Sequence, residues 1–529
     1  DLDRLNAVWG RWYDRWEQVE LPVNGSTLSD FIDWREFHLD TMTEEARWRL
    51  EMTAERDPAH ARYLHVVPNV MSVFSSVTCV DDFALAEHCE VFAATMNGGP
   101  ILATQVTSAA RGKVCYNVES HLNHGCTDLH QRSLGLSDLL RDFLPQIGLG
   151  IKGFLFWQYR PEVLGFESPA WGVVQLDGSD RPITRAVQAF GERLRPRVDE
   201  LLSARPRRPQ IGVWKSRKNE VFHFATQNAL QPLVDSVEGY LQTLYWHNYP
   251  FRIVSDAMLA AGYLEDLKLL ILPSPYCLSQ AEADALDAWV RQGGVVLSEA
   301  HLGGYDATAG RHSRVLPGCG LAQRWGIREA DSTSSYHLRL AAAGAVDANL
   351  TEDVRKALRE FGVSGGQVFP FAFLDGRLGY GAHRYAALDS PDALPMASFD
   401  GQVPLIVSRE VGRGWAFYCG TNLGQAASLG KGDAAVLAML RAAAGQAGLA
   451  PLRDLEAEVP GSVHLDILEC DGAARFAVLI SQADRPQAVR LDGRERWHGI
   501  FTGQTWNLNG THEARVPERF VELFRVEEI

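Results

Sequence analysis

Over residues 1–200, short apolar runs alternate with stretches whose apolar positions recur at helical spacing. Asp3 to Trp16 and Ser29 to Asp57 read as amphipathic helices, the second entered through Ser29-Asp30 as a capping signal. Tyr63 to Val67, the run around Val91, Val114 to Glu119 and Gly153 to Gln158 read as strands. Helices at Ser137 to Leu144 and Thr184 to Leu202 separate or follow them. Strand followed by helix is the repeating unit of a TIM-type (β/α)8 barrel, which does its chemistry at the C-terminal ends of the strands. Only four strands can be counted, so the pattern predicts half of such a barrel.

The pattern breaks at Ala204-Arg-Pro-Arg-Arg-Pro209, a Pro-rich charged stretch that predicts a linker. It restarts with strands at Ile211 to Trp214, Phe251 to Val254, Leu269 to Leu272 and Gly294 to Ser298. Helices at Asn228 to His247 and Gln280 to Gln292 alternate with them, which implies an α/β doubly wound sheet. After an insertion near Arg328 to Pro395 it resumes with Val403 to Val407, Gly414 to Tyr418 and a helix at Asp433 to Ala447. From Pro451 the helical spacing stops. His464 to Glu469, Ala474 to Ile480, Ala488 to Leu491, Trp497 to Phe501 and Phe520 to Val526 predict a small all-β domain, a β-sandwich. The expected domains are 1–203, 208–450 and 451–529.

Composition narrows the function classes. A chain of 529 residues with 46% hydrophobic and 22% charged residues is a multidomain globular protein. The net charge of −15, with no dense Lys/Arg stripe, argues against a nucleic-acid partner. No apolar run approaches the roughly 20 residues that span a bilayer, so no membrane role is expected. The eight cysteines are thinly spread without a Cys-x-x-Cys pair, which favours a reducing compartment and a cytoplasmic location.

Two stretches carry candidate chemistry. Lys113 to Glu119 (KVCYNVE) is an apolar run ending in a carboxylate. Gly153 to Gly178 (GFLFWQYRPEVLGFESPAWGVVQLDG) is another, ending in an aromatic and cationic cluster. Read alone, Glu119 is a strand-terminal surface acid; Trp157, Arg160 and Glu167 follow it in order. That order resembles the last two barrel strands of glycoside hydrolase family 42 β-galactosidases. Leu5-Asn-Ala-Val-Trp-Gly10, Asp33-Trp-Arg-Glu-Phe37, Leu269-Leu-Ile-Leu-Pro273 and Gly412-Arg-Gly-Trp-Ala-Phe-Tyr418 are similar to further landmarks of that family.

The resemblance implies a partial barrel, an amidotransferase-like trimerisation domain and a C-terminal β domain. It implies a retaining glycosidase that cleaves terminal β-D-galactosides, with Glu119 as the nucleophile and no cofactor. Arg160 is the cation expected beside Glu119, and Trp157 is either a stacking floor for a sugar face or an interior barrel aromatic. Glu167, in Gly165-Phe-Glu167, is expected to bind sugar hydroxyls, and Trp12 to replace a sugar-facing Trp of the family. The family's His three residues after that Glu is Ala170 here, which leaves the exact sugar open.

The family's acid/base Glu follows an Asn at the fourth strand, upstream of Leu5-Asn6, and no residue here matches it. The chain is therefore expected to be a fragment, to depend on another chain that supplies the first half-barrel, or to be a catalytically silent sugar-binding or assembly protein. An in-chain replacement would draw on Glu167 or Glu90. A homotrimer is expected, with Tyr240, Tyr245, Trp246 and Tyr249 as surface aromatics of the middle domain. His121, His124, Cys126 and His130 lie close together, but their spacing fits no zinc template and solvated loop residues are the better reading. Cys277 follows a strand in the middle domain without a His/Glu pair to activate it.

Overall fold

The computed structural model describes residues 1–22, 27–67, 80–96, 99–122, 134–165, 167–227, 230–335, 338, 351–364, 367–399 and 401–529. Helix α1 (Leu2–Trp9) is capped by the Asp1 side chain, which accepts from the Arg4 N–H, and stops at Gly10 with φ 65° and ψ 45°. A left-handed residue ends a helix, and glycine adopts that conformation without steric cost. The helix expected to continue to Trp16 therefore ends early, and Trp16 enters a separate short turn, Trp16–Gln18. Helix α2 (Leu28–Arg56) starts after Thr27, so Ser29 and Asp30 lie buried in its first turn rather than capping it. Asp30 pairs there with Arg11 at 3.0 Å, a carboxylate where the helix dipole favours one.

Strands β1 (Tyr63–Val66), β2 (Val91–Ala94), β3 (Val114–Ser120) and β4 (Gly153–Phe156) form a four-stranded sheet in that order, every pairing parallel. Helices α3 (Asp82–Ala86), α4 (Gly99–Ala110) and α5 (Leu136–Gly148) connect them, and α6 (Pro182–Leu194) follows β4. The apolar face of α5 buries Leu139, Phe143 and Leu144. Phe143 stacks on Phe154 of β4 at 4.2 Å and meets Phe190 of α6 at 5.7 Å. Truncating such a buried ring costs about 3–5 kcal/mol. With all strands parallel, their C-terminal ends share one edge of the sheet.

The expected linker is not free. Arg205–Pro206 forms strand β5 and pairs with Leu468 and Glu469 of the C-terminal sheet, where Arg207 also pairs with Glu469 at 2.7 Å. Proline suits such an edge strand, where one side needs no donor.

In the middle domain, β6 (Ile211–Lys215), β7 (Phe251–Ser255), β8 (Leu269–Leu272) and β10 (Val295–Ser298) run parallel with Gly414–Cys419. Strand β9 (Cys277–Leu278) belongs to a separate small sheet. The expected insertion is part of the main sheet: Val368–Phe373, Leu378–Ala382 and Leu394–Ser398 extend it to nine strands. Pro404–Val411, expected to resume the parallel pattern, pairs antiparallel with both neighbours. The central strands are apolar on both faces, as a sheet covered on both sides requires.

The C-terminal domain is an antiparallel sheet of seven strands that includes β5. The two strands expected at Ala488–Leu491 and Trp497–Phe501 are one strand, Gln487–Gly499. Its partner Thr505–Val516 was not expected, because only Trp506, Leu508 and Val516 of it are buried. The aromatics expected on a trimer surface are inside the chain. Tyr240, Tyr245 and Tyr249 are buried, Trp246 is half-buried, and Tyr245 lies 3.5 Å from the His464 ring of the C-terminal domain, nearly parallel to it. Flat rings bury more apolar area between domains than at a solvated face. Among the described residues no helix is long and apolar enough to cross a membrane, and Cys89, Cys115, Cys277, Cys319, Cys419 and Cys470 are free.

Candidate active site

The C-terminal edge of the four-stranded sheet gathers one polar or aromatic side chain from each strand. His65 is the penultimate residue of β1, Thr95 follows β2, Glu119 is the penultimate residue of β3, and Trp157 follows β4. The Thr95 hydroxyl donates to Glu119 Oε2 at 3.2 Å, and His121 Nε2 donates to Oε1 at 3.1 Å. His65 Nε2 stands 2.8 Å from Thr95 Oγ1 and 3.4 Å from Glu119 Oε2. Because the Thr95 proton points at the carboxylate, its oxygen must accept from His65, which fixes the proton of His65 on Nε2. Both oxygens of Glu119 thus receive charge-assisted hydrogen bonds, the stronger kind.

Asn117, fully buried two residues before Glu119, holds this arrangement. It accepts from the Met96 N–H at 3.3 Å and donates to the Met96 carbonyl and to Gln146 Oε1, each at 3.0 Å. The segment carrying Thr95 is thereby tied to β3 independently of the strand pairing.

The chain after β4 folds back over the same edge. The Trp157 N–H donates to the Ser120 carbonyl at 3.1 Å, and the Gln158 N–H to the Trp171 carbonyl at 3.0 Å. Trp171 has φ 52°, a left-handed conformation uncommon for a bulky residue. Its indole stacks on His121 with centroids 4.3 Å apart and planes within 11°. The imidazole that donates to Glu119 is therefore held flat by an aromatic neighbour.

The sequence-predicted residues fall out unevenly. Trp157 is 41% exposed and open to solvent. Glu167 is half-buried in the turn after β4, its carbonyl accepting from the Ala170 N–H at 2.8 Å. Arg160 is exposed and makes no ion pair with Glu119 among the described residues; His65, Thr95 and His121 occupy the place expected for it. Trp12, at 92% exposure, makes no hydrogen bond or ring contact with the residues around Glu119 among the described residues. Glu90 precedes β2 and is held by the Arg62 guanidinium, which pulls its carboxyl down to about 2. It sits at the opposite end of the strand from Glu119 and is removed from consideration as the acid.

His124, Cys126 and His130 lie outside the described residues, and no group of three or more metal-ligating side chains is found among the described ones. Burial holds the Cys277 thiol well above its ordinary range, so it is no nucleophile. Reading the sequence missed His65, Thr95 and Trp171. His65 and Thr95 carried a usable signal, since both fall at or just past predicted strand ends; Trp171 lies within the quoted second stretch, but its contact with His121 depends on the backbone turn.

Residues 3–196 match the family model of glycoside hydrolase family 42, described as β-galactosidase. The β-galactosidase bgaB of Geobacillus kaustophilus is 23% identical over 340 residues, which cover 58% of this chain and 48% of that protein. The chain thus spans about half the length of the curated relative it matches. The β-galactosidase structure from Bacillus circulans sp. alkalophilus superposes with a TM-score of 0.78 at 16% identity, covering 99% of this chain and 74% of that one. A catalytic mutant of Gan42B, a family 42 β-galactosidase from G. stearothermophilus, gives 0.79 at 15% identity, covering 100% and 74%. The chain therefore carries the family 42 sequence pattern over residues 3–196 and shares a family 42 fold along its length.

Proposed function

We propose that this chain carries the nucleophile half of a retaining glycoside hydrolase that cleaves terminal β-D-galactosides. The observation that supports it most is Glu119, set at the C-terminal edge of four parallel strands with both oxygens oriented by Thr95 and His121. In this reading a Glu119 oxygen attacks the anomeric carbon as the leaving-group oxygen departs, forming a glycosyl ester. Water then cleaves that ester and returns the carboxylate. His121 donates to one oxygen of Glu119, and Thr95, itself held by His65, donates to the other, which keeps the carboxylate aimed. Trp157 offers an exposed aromatic face for a sugar ring, and Glu167 an acceptor for sugar hydroxyls. Arg160 and Trp12 are the outer members of the same substrate surface.

Retention needs a second carboxyl about 5–5.5 Å from the nucleophile. We assign that role to an acid/base Glu on the polypeptide that closes the barrel, either upstream in the same protein or on a separate chain. Among the described residues the sheet has no further strand beside β1 or β4, and Tyr63 and Leu155 on those strands are 60% and 52% exposed. Unpaired edges with exposed apolar residues call for a covering partner. We also propose assembly into a homotrimer through the middle domain, on surfaces other than its buried tyrosines. The second reading, a silent sugar-binding or assembly protein, draws on the family's Asn-Glu pair having no match in this sequence.

Hydrolysis of a chromogenic β-galactoside, by this chain alone and with a polypeptide carrying the first half-barrel and its Asn-Glu pair, separates the two. Activity restored by the second polypeptide supports the enzyme; inactivity of the reconstituted complex supports the silent protein.

A further inference from the structure

A cavity of about 680 Å³ lies where the three domains meet, lined by residues of α4, β3 and β5, by the start of β7 and by strand Val463–Cys470. It opens at the N-terminal end of β3, away from Glu119, and the mechanism above does not use it. Its volume is that of a small-molecule site.

The charge around it is out of keeping with the protein. The chain carries a net charge of −15, yet seven Lys and Arg side chains line this cavity against three carboxylates. Three of the cations are engaged: Arg111 with Glu87, Arg207 with Glu469 and Arg208 with Asp266. Lys113, Lys152, Arg205 and Arg252 have no ion pair among the described residues. Among the described residues Lys113 Nζ donates only to the carbonyls of Ala86 and Glu87, and Lys152 Nζ only to those of Leu201 and Ala204. An ammonium has three protons, so each keeps one donor free.

Arg252 Nε is buried and has no hydrogen-bond partner among the described residues, a deficit that a native structure rarely tolerates. Burial and the nearby Arg205 lower Lys152 to about 8. Tyr249 and Tyr263 supply aromatic wall beside the cations.

We propose that this cavity binds a phosphorylated small molecule, its phosphate held by Lys113, Lys152, Arg205 and Arg252 and its organic body set against Tyr249 and Tyr263. Guanidinium forks match phosphate oxygens in geometry, and each contact is charge-assisted. The inference does not depend on the glycosidase reading, because none of these residues contacts Glu119 or its partners.

Calorimetric titration of the full chain with inorganic phosphate, adenosine 5′-monophosphate and adenosine, at matched ionic strength, tests it. Phosphate is expected to bind saturably, the monophosphate about tenfold or more tighter, and adenosine not at all. Arg252→Ala and, independently, Lys113→Gln should each weaken the monophosphate by about tenfold or more while the melting transition stays cooperative. Arg377→Ala, an exposed cation remote from the cavity, should change nothing. No saturable heat at millimolar ligand would overturn the site, as would equal affinity in wild type and both cavity variants. Phosphate and monophosphate binding equally would overturn the organic part of the assignment.

Discussion

His121 lies against Trp171, centroids 4.3 Å apart, while its Nε2 donates to Glu119 at 3.1 Å. The stack and the hydrogen bond share one ring, so the two residues should act as a unit. In the reconstituted enzyme, we predict that His121→Ala lowers kcat/KM by up to roughly a hundredfold, the worth of a hydrogen bond to a charged group. Trp171→Ala should cost less, and the double variant no more than His121→Ala alone. Additive losses in that cycle would show that the stack has a separate role.

Glu90 tests the sheet geometry. Because it lies at the N-terminal end of β2 with Arg62, Glu90→Gln should leave turnover within about twofold, as an acid lost from the reaction costs roughly 10²–10⁴-fold. A drop of that size would return Glu90 to the active site. Glu167→Gln, on the same edge as Glu119, should raise KM far more than Glu90→Gln does.

The fully buried Glu299 predicts a pH effect in the middle domain. Burial raises its carboxyl from 4.5 to about 7, although Ser236 Oγ and the N–H groups of Ser274 and Gly424 donate to it. The folded state then holds a proton that the unfolded state releases between pH 4.5 and 7, so this group's contribution to stability falls as pH rises through that window. Buried His301, lowered to about 3, acts oppositely and loses stability as pH falls below 6.5. Subtracting the wild-type unfolding free energy from that of Glu299→Gln isolates the first effect. The difference should rise by a few kcal/mol between those pH values, and a flat difference would contradict it.

Assembly is checked by light scattering. Tyr245 is buried against His464 within one chain, so Tyr245→Ala should lower the melting temperature without changing the particle mass. A trimer mass at micromolar concentration is expected for both proteins; a monomer mass for wild type would exclude the trimer.

Much of this architecture was legible in the chain because period and length carry it. The strands around Val114 to Glu119 and Gly153 to Gln158, and the apolar run Leu269 to Leu272, stand near where alternation and turn residues put them. What was not legible depends on contacts between distant segments. Tyr240 and Tyr245 looked like surface aromatics because helical spacing does not reveal that the segment around Gly424 and Glu299 covers the first and the C-terminal domain the second. Arg160 looked like the partner of Glu119 because it is the nearest cation after β4 in sequence. The three groups that actually meet the carboxylate come from β1, from the end of β2 and from the residue after β3's last position. Only the parallel register brings them together.

We assign the attack on the sugar to the Glu119 carboxylate. Incubating the barrel-completed enzyme with a 2-deoxy-2-fluoro-β-galactoside inactivator, followed by peptide mass spectrometry, addresses it directly. One fluorosugar adduct is expected on the peptide containing Glu119, absent in Glu119→Gln, whose turnover should fall by several powers of ten. An adduct on Glu167 or another carboxylate, or near-normal turnover of Glu119→Gln, would contradict it.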